Sequence, residues 1–157
     1  MKKIKLLLVM IIMVGGVCFI TGCDKEQETK TVAVSLSETF ETIAQKENDI
    51  EKIAQKIAES EIIVPEVQTF TIGKDDYLAG FKEEIKGFEK AVGIAPMIGT
   101  IPMIAYVFEV EEPQAFAESL KENAQLNWNI CTQADEMQVA IVNEYVFFIM
   151  SPTSFEQ

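Results

Sequence analysis

Residues 36–60 have the pattern of an amphipathic helix, because apolar side chains recur there at steps of three and four. Ser35 or Ser37 is expected to cap the first turn of this helix. Glu47 interrupts the apolar stripe, and we expect the helix to kink or break at Asn48 and Asp49. The prediction is therefore a helical first part of the domain.

A strand and a second helix are predicted next. Residues 67–72 (VQTFTI) are mostly β-branched or aromatic, which favours a strand. Asp75 or Asp76 is expected to start the second helix, and Gly93 is expected to stop it. Apolar side chains recur between them at steps of four, four, three and four. They are Tyr77, Phe81, Ile85, Phe88 and Val92.

Residues 101–110 (IPMIAYVFEV) predict a strand that is buried on both faces, because successive positions are apolar. Pro102 fits such a strand only near its beginning or on an edge of the sheet. A third helix is expected to begin at Pro113, since proline is favoured at the first helical position. Its inward-facing residues are expected to be Phe116, Leu120 and Ala124.

The last part of the chain predicts a loop and a hairpin. Residues 127–135 have no periodic pattern, and residues 137–142 and 145–150 are apolar runs on either side of Asn143-Glu144, a turn sequence. The complete order is α-β-α-β-α-β-β. We therefore predict an α+β domain, with a mostly antiparallel sheet of about four strands and three helices packed on it.

The first 22 residues have the layout of a cleavable signal peptide. Three lysines near the start precede 15 almost continuously apolar residues, positions 6–20. A helix that crosses a membrane needs roughly 20 such residues. The apolar segment ends in Ile20-Thr21-Gly22-Cys23, and a charged run follows. This stretch resembles the bacterial lipobox, which is an aliphatic residue, a small residue, Gly and Cys.

The lipobox resemblance implies that Cys23 carries a diacylglyceryl group, with palmitate-type chains, and becomes the first residue after cleavage. Residues 1–22 are then the signal peptide, 23–35 the lipidated cysteine and a polar tether, and 36–157 a single α+β domain. An ordinary secretory leader and an uncleaved anchor are the alternatives, and the short apolar segment favours the lipobox. The protein is accordingly expected on the extracytoplasmic face of the cell membrane, attached through its lipid.

The charge balance is strongly acidic. The chain has 25 acidic and 13 basic residues, a formal charge of -12, and all of the basic residues are lysines. Three of these lysines belong to the signal peptide, so ten lysines against 25 acids give the remaining chain a net charge of -15. A surface of this charge repels polyanions, which excludes nucleic acid and anionic lipid headgroups as favoured partners.

Two missing residue types narrow the possible chemistry, since the sequence contains neither histidine nor arginine. Serine triads, Cys–His dyads, histidine-based zinc sites and arginine-dependent phosphoryl transfer are therefore excluded. A general base would have to be Asp, Glu, Lys, Tyr or Cys with a strongly shifted pKa. We expect a protein that is not an enzyme and that holds no cofactor.

Several short segments between residues 77 and 155 resemble an uncharacterised family of clostridial cell-surface lipoproteins. The resemblance implies the domain outline and the surface location, and it implies no activity, substrate or catalytic residue. The segments are Gly80-Phe81, Gly87-Phe88, residues 95–102 (APMIGTIP), residues 127–132 (NWNICT), residues 134–136 (ADE) and residues 146–152 (VFFIMSP).

Cys131 is the only cysteine that follows Cys23. As a nucleophile or redox thiol it would need a lowered pKa, and little besides a lysine or a helix terminus could lower it in this chain. A single free cysteine in an exported protein is more often buried as a small apolar side chain. We therefore expect Cys131 to be buried.

Acidic residues cluster near the ends of two predicted strands, with Glu109, Glu111 and Glu112 after one and Asp135-Glu136 before another. If those ends meet, the carboxylates could bind a hard cation such as calcium. A glycosidase pair would use the same residue types. No spacing matches an EF-hand loop, and acidic residues are common throughout the surface, so we expect a solvated acidic rim and no metal.

Residues 94–104 (IAPMIGTIPMI) contain no charged side chain and two Pro-Met-Ile words. One interpretation is a buried crossing beneath a helix that leads into a strand. The other is an exposed, adaptable surface for a partner or an apolar ligand, with Met97 and Ile98 as the binding residues. Trp128, between two asparagines, is a further candidate because it could stack on a sugar ring, although a lone tryptophan favours a structural role.

The function that these observations favour is a non-catalytic interaction module for a protein or a cell-envelope component, held at the membrane by Cys23. An accessory lipoprotein that binds a small ligand or a cation is the alternative, and it would need a pocket with converging polar groups. An enzyme that uses carboxylates or Cys131 has the least support.

Overall fold

The structure, a computed structural model, describes residues 30–155. This range contains three helices and five strands. The helices are α1 (Val32–Ala44), α2 (Ile50–Ala58) and α3 (Pro113–Asn123). The strands are β1 (Val67–Ile72), β2 (Phe88–Pro96), β3 (Ile104–Val110), β4 (Glu136–Val142) and β5 (Tyr145–Ser151).

All five strands form one antiparallel sheet in the order β1-β2-β3-β5-β4. β5 lies between β3 and β4, so these two strands run in the same direction, and α3 connects them as in a split β-α-β unit. The predicted α+β class and the antiparallel sheet are confirmed. The sheet has five strands, however, and not about four.

Helices cover both faces of the sheet. On the first, called the α1/α2 face, the ring of Phe40 stacks on Phe147 with 5.3 Å between the ring centroids. On the other, called the α3 face, α3 and the irregular segment 73–87 cover a cluster of six aromatic rings. Its members are Phe81, Phe88, Tyr106, Phe108, Phe116 and Phe148. β3 and β5 are buried on both faces, as the apolar run in β3 predicts.

The predicted second helix is wrong, because its residues lie in segment 73–87 and in β2. Gly80 and Gly87 have φ angles of 95°, which a right-handed helix does not contain. β2 is hydrogen-bonded to strands on both sides, and this long-range pairing overrides the local pattern. Three residues of the apolar stripe are nevertheless buried on the α3 face, namely Phe81, Ile85 and Phe88.

α1 begins four residues before the predicted start, within the predicted tether. The Thr31 side chain caps it by accepting a hydrogen bond from the backbone N–H of Val34 (3.4 Å), so neither serine that was expected to cap the helix does so. Val32 and Ala33 are buried in the domain, which holds the first turn in place. The folded domain therefore includes residues that the sequence pattern assigned to the tether.

Other elements agree with the pattern. The first helical region breaks between α1 and α2, and Asp49 caps α2 through the backbone N–H groups of Glu51 and Lys52. α3 begins at Pro113 as predicted. The terminal hairpin also forms as predicted, and its turn residue Asn143 has a φ of 53°.

The sheet has two ends, which differ in what surrounds them. Val32 donates its backbone N–H to the carbonyl of Thr153 (3.1 Å), so the described chain enters the domain beside the segment that follows β5. We call this the entry end, and the opposite one, with the turns at 45–49, 111–112 and 143–144, the far end. The entry end consists of segments 61–66, 97–103, 127–135 and 152–155. Among residues 30–155, no helix has the length and apolar character needed to cross a membrane.

Candidate functional site

Met97 and Ile98 lie in the loop between β2 and β3, at the entry end. Their exposed fractions are 59% and 63%, whereas Ile94, Met103 and Ile104 in the same segment are buried. Each of the two interpretations of residues 94–104 therefore describes a part of it. The strand residues belong to the core, and the loop between them presents apolar side chains to the surroundings.

The loop at 127–135 contacts this β2–β3 loop, because the Asn129 side-chain amide donates a hydrogen bond to the carbonyl of Gly99 (2.6 Å). Trp128 is half-buried and packs against the residues of the α3 face. Ile130 is fully exposed. The two loops thus form one continuous surface at the entry end.

Cys131 is exposed, so the prediction that it is buried is wrong. It lies in the part of the 127–135 loop that projects from the sheet, and its backbone N–H donates to the side chain of Asn129 (3.3 Å). Ala134 is the residue of this loop that reaches the core. The expectation rested on the usual burial of a single free cysteine in an exported protein, but the position of Cys131 on a projecting loop leaves it outside the core.

An apolar groove of about 450 Å³ lies beside these loops. Three prolines and three larger apolar side chains line most of it, and the sequence pattern does not predict it because its walls come from three separate segments. A signal was present in part, since Pro65 and Pro152 both belong to uncharged stretches, 62–65 and 145–155. The lining residues are Val64, Pro65, Thr100, Ile101, Pro102, Pro152, Ser154 and Phe155.

The entry end is also poor in charge. Of its four segments, 97–103 and 152–155 contain no Asp, Glu or Lys, and 61–66 and 127–135 contain three between them, Glu61, Glu66 and Asp135, although nearly a quarter of the chain is charged. Two of the acidic side chains at this end bind backbone groups. Asp135 accepts from the N–H of Thr153 (3.0 Å), and Glu136 accepts from the N–H of Ala33 (3.3 Å). Charge is therefore concentrated elsewhere on the surface.

A cleft of about 510 Å³ lies where β1 ends and β2 begins. Its lysines already have acidic partners, since Lys74 lies 3.3 Å from Glu89 and Lys86 lies 2.9 Å from Glu84. The hydrogen bond and the charge of Glu84 raise the pKa of Lys86. A small-ligand site would present unpaired polar groups in a closed pocket. Because both lysines of this cleft already have acidic partners, the cleft gives weak support to the small-ligand alternative.

The acidic residues that could have formed a cation site do not converge. Glu109, Glu111 and Glu112 lie at the far end, whereas Asp135 and Glu136 lie at the entry end. β3 and β4 run in the same direction, so the end of one and the start of the other are a strand length apart. Among the described residues, no three acidic or cysteine side chains come together as a metal site would require.

Two tyrosines have raised pKa values because they are withdrawn from water. The buried Tyr106 hydroxyl donates to the carbonyl of Ala79 (2.9 Å), and burial raises its pKa well above the usual range. The Tyr145 hydroxyl donates to the carbonyl of Asn48 (2.7 Å), and desolvation again raises its pKa. Both groups stay protonated at neutral pH and hold irregular segments onto the sheet, so they act as structural donors.

β1 is an edge strand with little protection. Its side chains from Gln68 to Thr71 are exposed, and within residues 67–73 there is no charged residue and no proline. Edge strands of natural proteins usually carry such residues because a free edge can pair with another chain. The other edge strand, β4, is half-buried along most of its length. β1 is therefore the more accessible edge.

No protein-family model, curated protein or solved structure matches this chain. The resemblance to clostridial surface lipoproteins and the lipidation of Cys23 stay predictions from the sequence.

Proposed function

We propose that this protein is a non-catalytic interaction module, held on the extracytoplasmic face of the cell membrane by lipid on Cys23, that binds an extended segment of a partner protein along β1. The observation that carries the proposal is the exposed, uncharged edge of β1. The lipobox-like sequence at residues 20–23 supports the membrane location.

The register of β1 defines which backbone groups are free. Met97 donates its N–H to the carbonyl of Glu66 (2.9 Å), and hydrogen-bonded pairs alternate along an antiparallel ladder. Gln68, Phe70 and Ile72 are consequently the residues that bond to β2. The N–H and C=O groups of Val67, Thr69 and Thr71 point away from the sheet, where an added strand would meet them.

The chemistry around β1 favours a neutral or basic partner segment. A shallow recess of about 180 Å³ beside the strand is lined by Glu51, Gln55, Thr69, Phe70, Thr71 and Val92. Glu51 in this recess and the net charge of -15 after the signal peptide attract lysine or arginine side chains and repel acidic ones. The exposed ring of Phe70 adds an apolar contact on the opposite face of the sheet.

The test is a pair of substitutions at Thr69. Thr69→Pro removes an outward N–H without removing a hydrogen bond to β2, so the sheet is retained while strand addition is blocked. Thr69→Val is the matched control, because it keeps the backbone donor. A photo-crosslinking residue at Gln68, used in intact cells, identifies the segment that lies against β1.

We expect the crosslinked segment, synthesised as a peptide, to slow hydrogen exchange of the backbone amides of Thr69 and Thr71. The peptide should bind the Thr69→Val variant as tightly as it binds the natural protein. It should lose most of its affinity for the Thr69→Pro variant. Equal binding to both variants would overturn the strand-addition proposal. A crosslink to a second copy of this chain would do so as well, because β1 would then be a self-association edge.

A further inference from the structure

We propose that the entry end of the domain lies against the outer leaflet of the membrane, with Met97, Ile98 and Ile130 inserted into the interface between lipid headgroups and acyl chains. This inference rests on the proposed lipid anchor at Cys23, and it assigns the exposed apolar loops to a lipid surface. The protein-binding edge on β1 stays on the side of the domain and is free for a partner.

The position of α1 fixes which end of the domain is near the anchor. Val32 is hydrogen-bonded to Thr153, and Ala33 to Glu136 at the start of β4 (3.3 Å). Seven residue-to-residue steps separate Lys30 from Cys23. At most ~3.6 Å per residue, they span no more than about 25 Å. The far end is a further seven-residue strand away, which adds about 23 Å at ~3.3 Å per residue.

The apolar surface is concentrated at the same end. Six large apolar side chains are exposed among the described residues, and four of them belong to the entry end: Val64, Met97, Ile98 and Ile130. Side chains of this kind gain free energy when they leave water, and this gain does not depend on lipid charge. The anchor therefore places next to the bilayer the part of the protein surface whose transfer from water into the lipid interface is most favourable.

The charge pattern specifies the kind of lipid contact. The loops at 97–103 and 127–134 contain no charged residue, so inserting their tips desolvates no ionised side chain. The acidic residues nearby, Glu61 and Glu66 among them, give no attraction to anionic headgroups. Contact must then come from apolar insertion, and it should occur on zwitterionic lipid and persist at high salt.

The experiment uses the full-length lipidated protein in phosphatidylcholine vesicles. In a Cys131→Ser background, Ile98→Cys or Ile130→Cys carries an environment-sensitive fluorophore. Glu144→Cys, at an exposed turn of the far end, is the matched control. Lipids with a nitroxide at a shallow position of the acyl chain quench a fluorophore that enters the interface, which lies within ~5–10 Å of the headgroups.

We expect a blue shift and several-fold stronger quenching at positions 98 and 130 than at position 144, unchanged in high salt. Flotation of the protein with the vesicles reports the anchor separately. If the protein floats but positions 98 and 130 resemble position 144, the inference is overturned, the anchor stands, and these loops are left for a protein partner. If the protein carries no lipid and does not float, the proposed anchoring fails, and the inference fails with it.

Discussion

Phe70 and Gly93 face each other on β1 and β2, and the ring of Phe70 lies directly on the backbone of Gly93. A Cβ atom built on Gly93 would overlap three carbons of the ring. The glycine that the sequence pattern assigned to a helix end therefore has a different role. It leaves room for an aromatic ring on the edge strand to cover β2.

Gly93→Ala is expected to destabilise the domain by about 1 kcal/mol, because the ring of Phe70 must swing away and lose contact with the sheet. Urea unfolding measures this change. In a Phe70→Ala background the same substitution should cost little or nothing, since the overlapping atoms are gone. Equal costs in the two backgrounds would show that the ring and the glycine are not coupled.

Gly80→Ala is expected to cost more than Gly87→Ala, and the two form a matched pair. Both residues have a φ of 95°, which strains any residue with a Cβ by about 1–2 kcal/mol. A Cβ at Gly80 would also overlap the methyl carbon of Met150, whereas at Gly87 no atom lies within 4 Å. Met150 is fully buried, so its flexible end must shift within the core, and this should add about 1 kcal/mol in urea unfolding. Similar costs for both would contradict the close packing of Met150.

Tyr106 should make the stability fall at alkaline pH. Burial raises the pKa of its hydroxyl, so the unfolded chain loses this proton first, near the ordinary value of 10.0. Above that pH the unfolded state is favoured by about 1.4 kcal/mol per pH unit for each such group. The stabilisation is thus complete below pH 10 and is lost as the pH rises further.

Tyr106→Phe is the control for this alkaline effect. It should lower stability at neutral pH by about 1–2 kcal/mol, because the carbonyl of Ala79 loses its donor. It should also give a shallower decline above pH 10, while Tyr145, whose pKa is also raised, contributes equally in both proteins. Parallel curves of unfolding free energy against pH for the two proteins would disprove the assignment.

Cys23→Ala should abolish lipid attachment and processing before residue 23. We expect the natural protein to incorporate a palmitate analogue and its intact mass to begin at Cys23. The variant should lack the label and retain residues 1–22. Cys131→Ala is the control and should be labelled normally. A labelled Cys23→Ala protein would place the lipid on another residue, and a natural N-terminus other than Cys23 would point to an ordinary secretory leader.

Local signals were sufficient for several elements of the fold. β1, β3, α3 and the terminal hairpin each have a short-range cause, such as the proline at the start of α3 or the turn at Asn143. β2 has no such short-range cause, because it forms a strand only by pairing with β1 and β3. The steps of four and three residues between Phe81, Ile85 and Phe88 fit a helix equally well, and only long-range contacts exclude it.

The candidate sites were less predictable than the fold. Met97 and Ile98 were identified from composition alone, but their exposure depends on where the β2–β3 loop turns. The burial expected for Cys131 was wrong, because the usual burial of single free cysteines does not show how far one particular loop lies from the core. The entry end could not be predicted at all, because the sheet topology brings its four segments together.

β5 contributes Phe147 to one core and Phe148 to the other, and it is the last of the five strands in the chain although it lies inside the sheet. A protein is synthesised from its N-terminus, so both cores stay open until residues 145–151 have been made. This order delays the completion of both cores until the last strand of the sheet is available. For a chain that is exported before it folds, such a delay keeps it in a state that can still be threaded across a membrane.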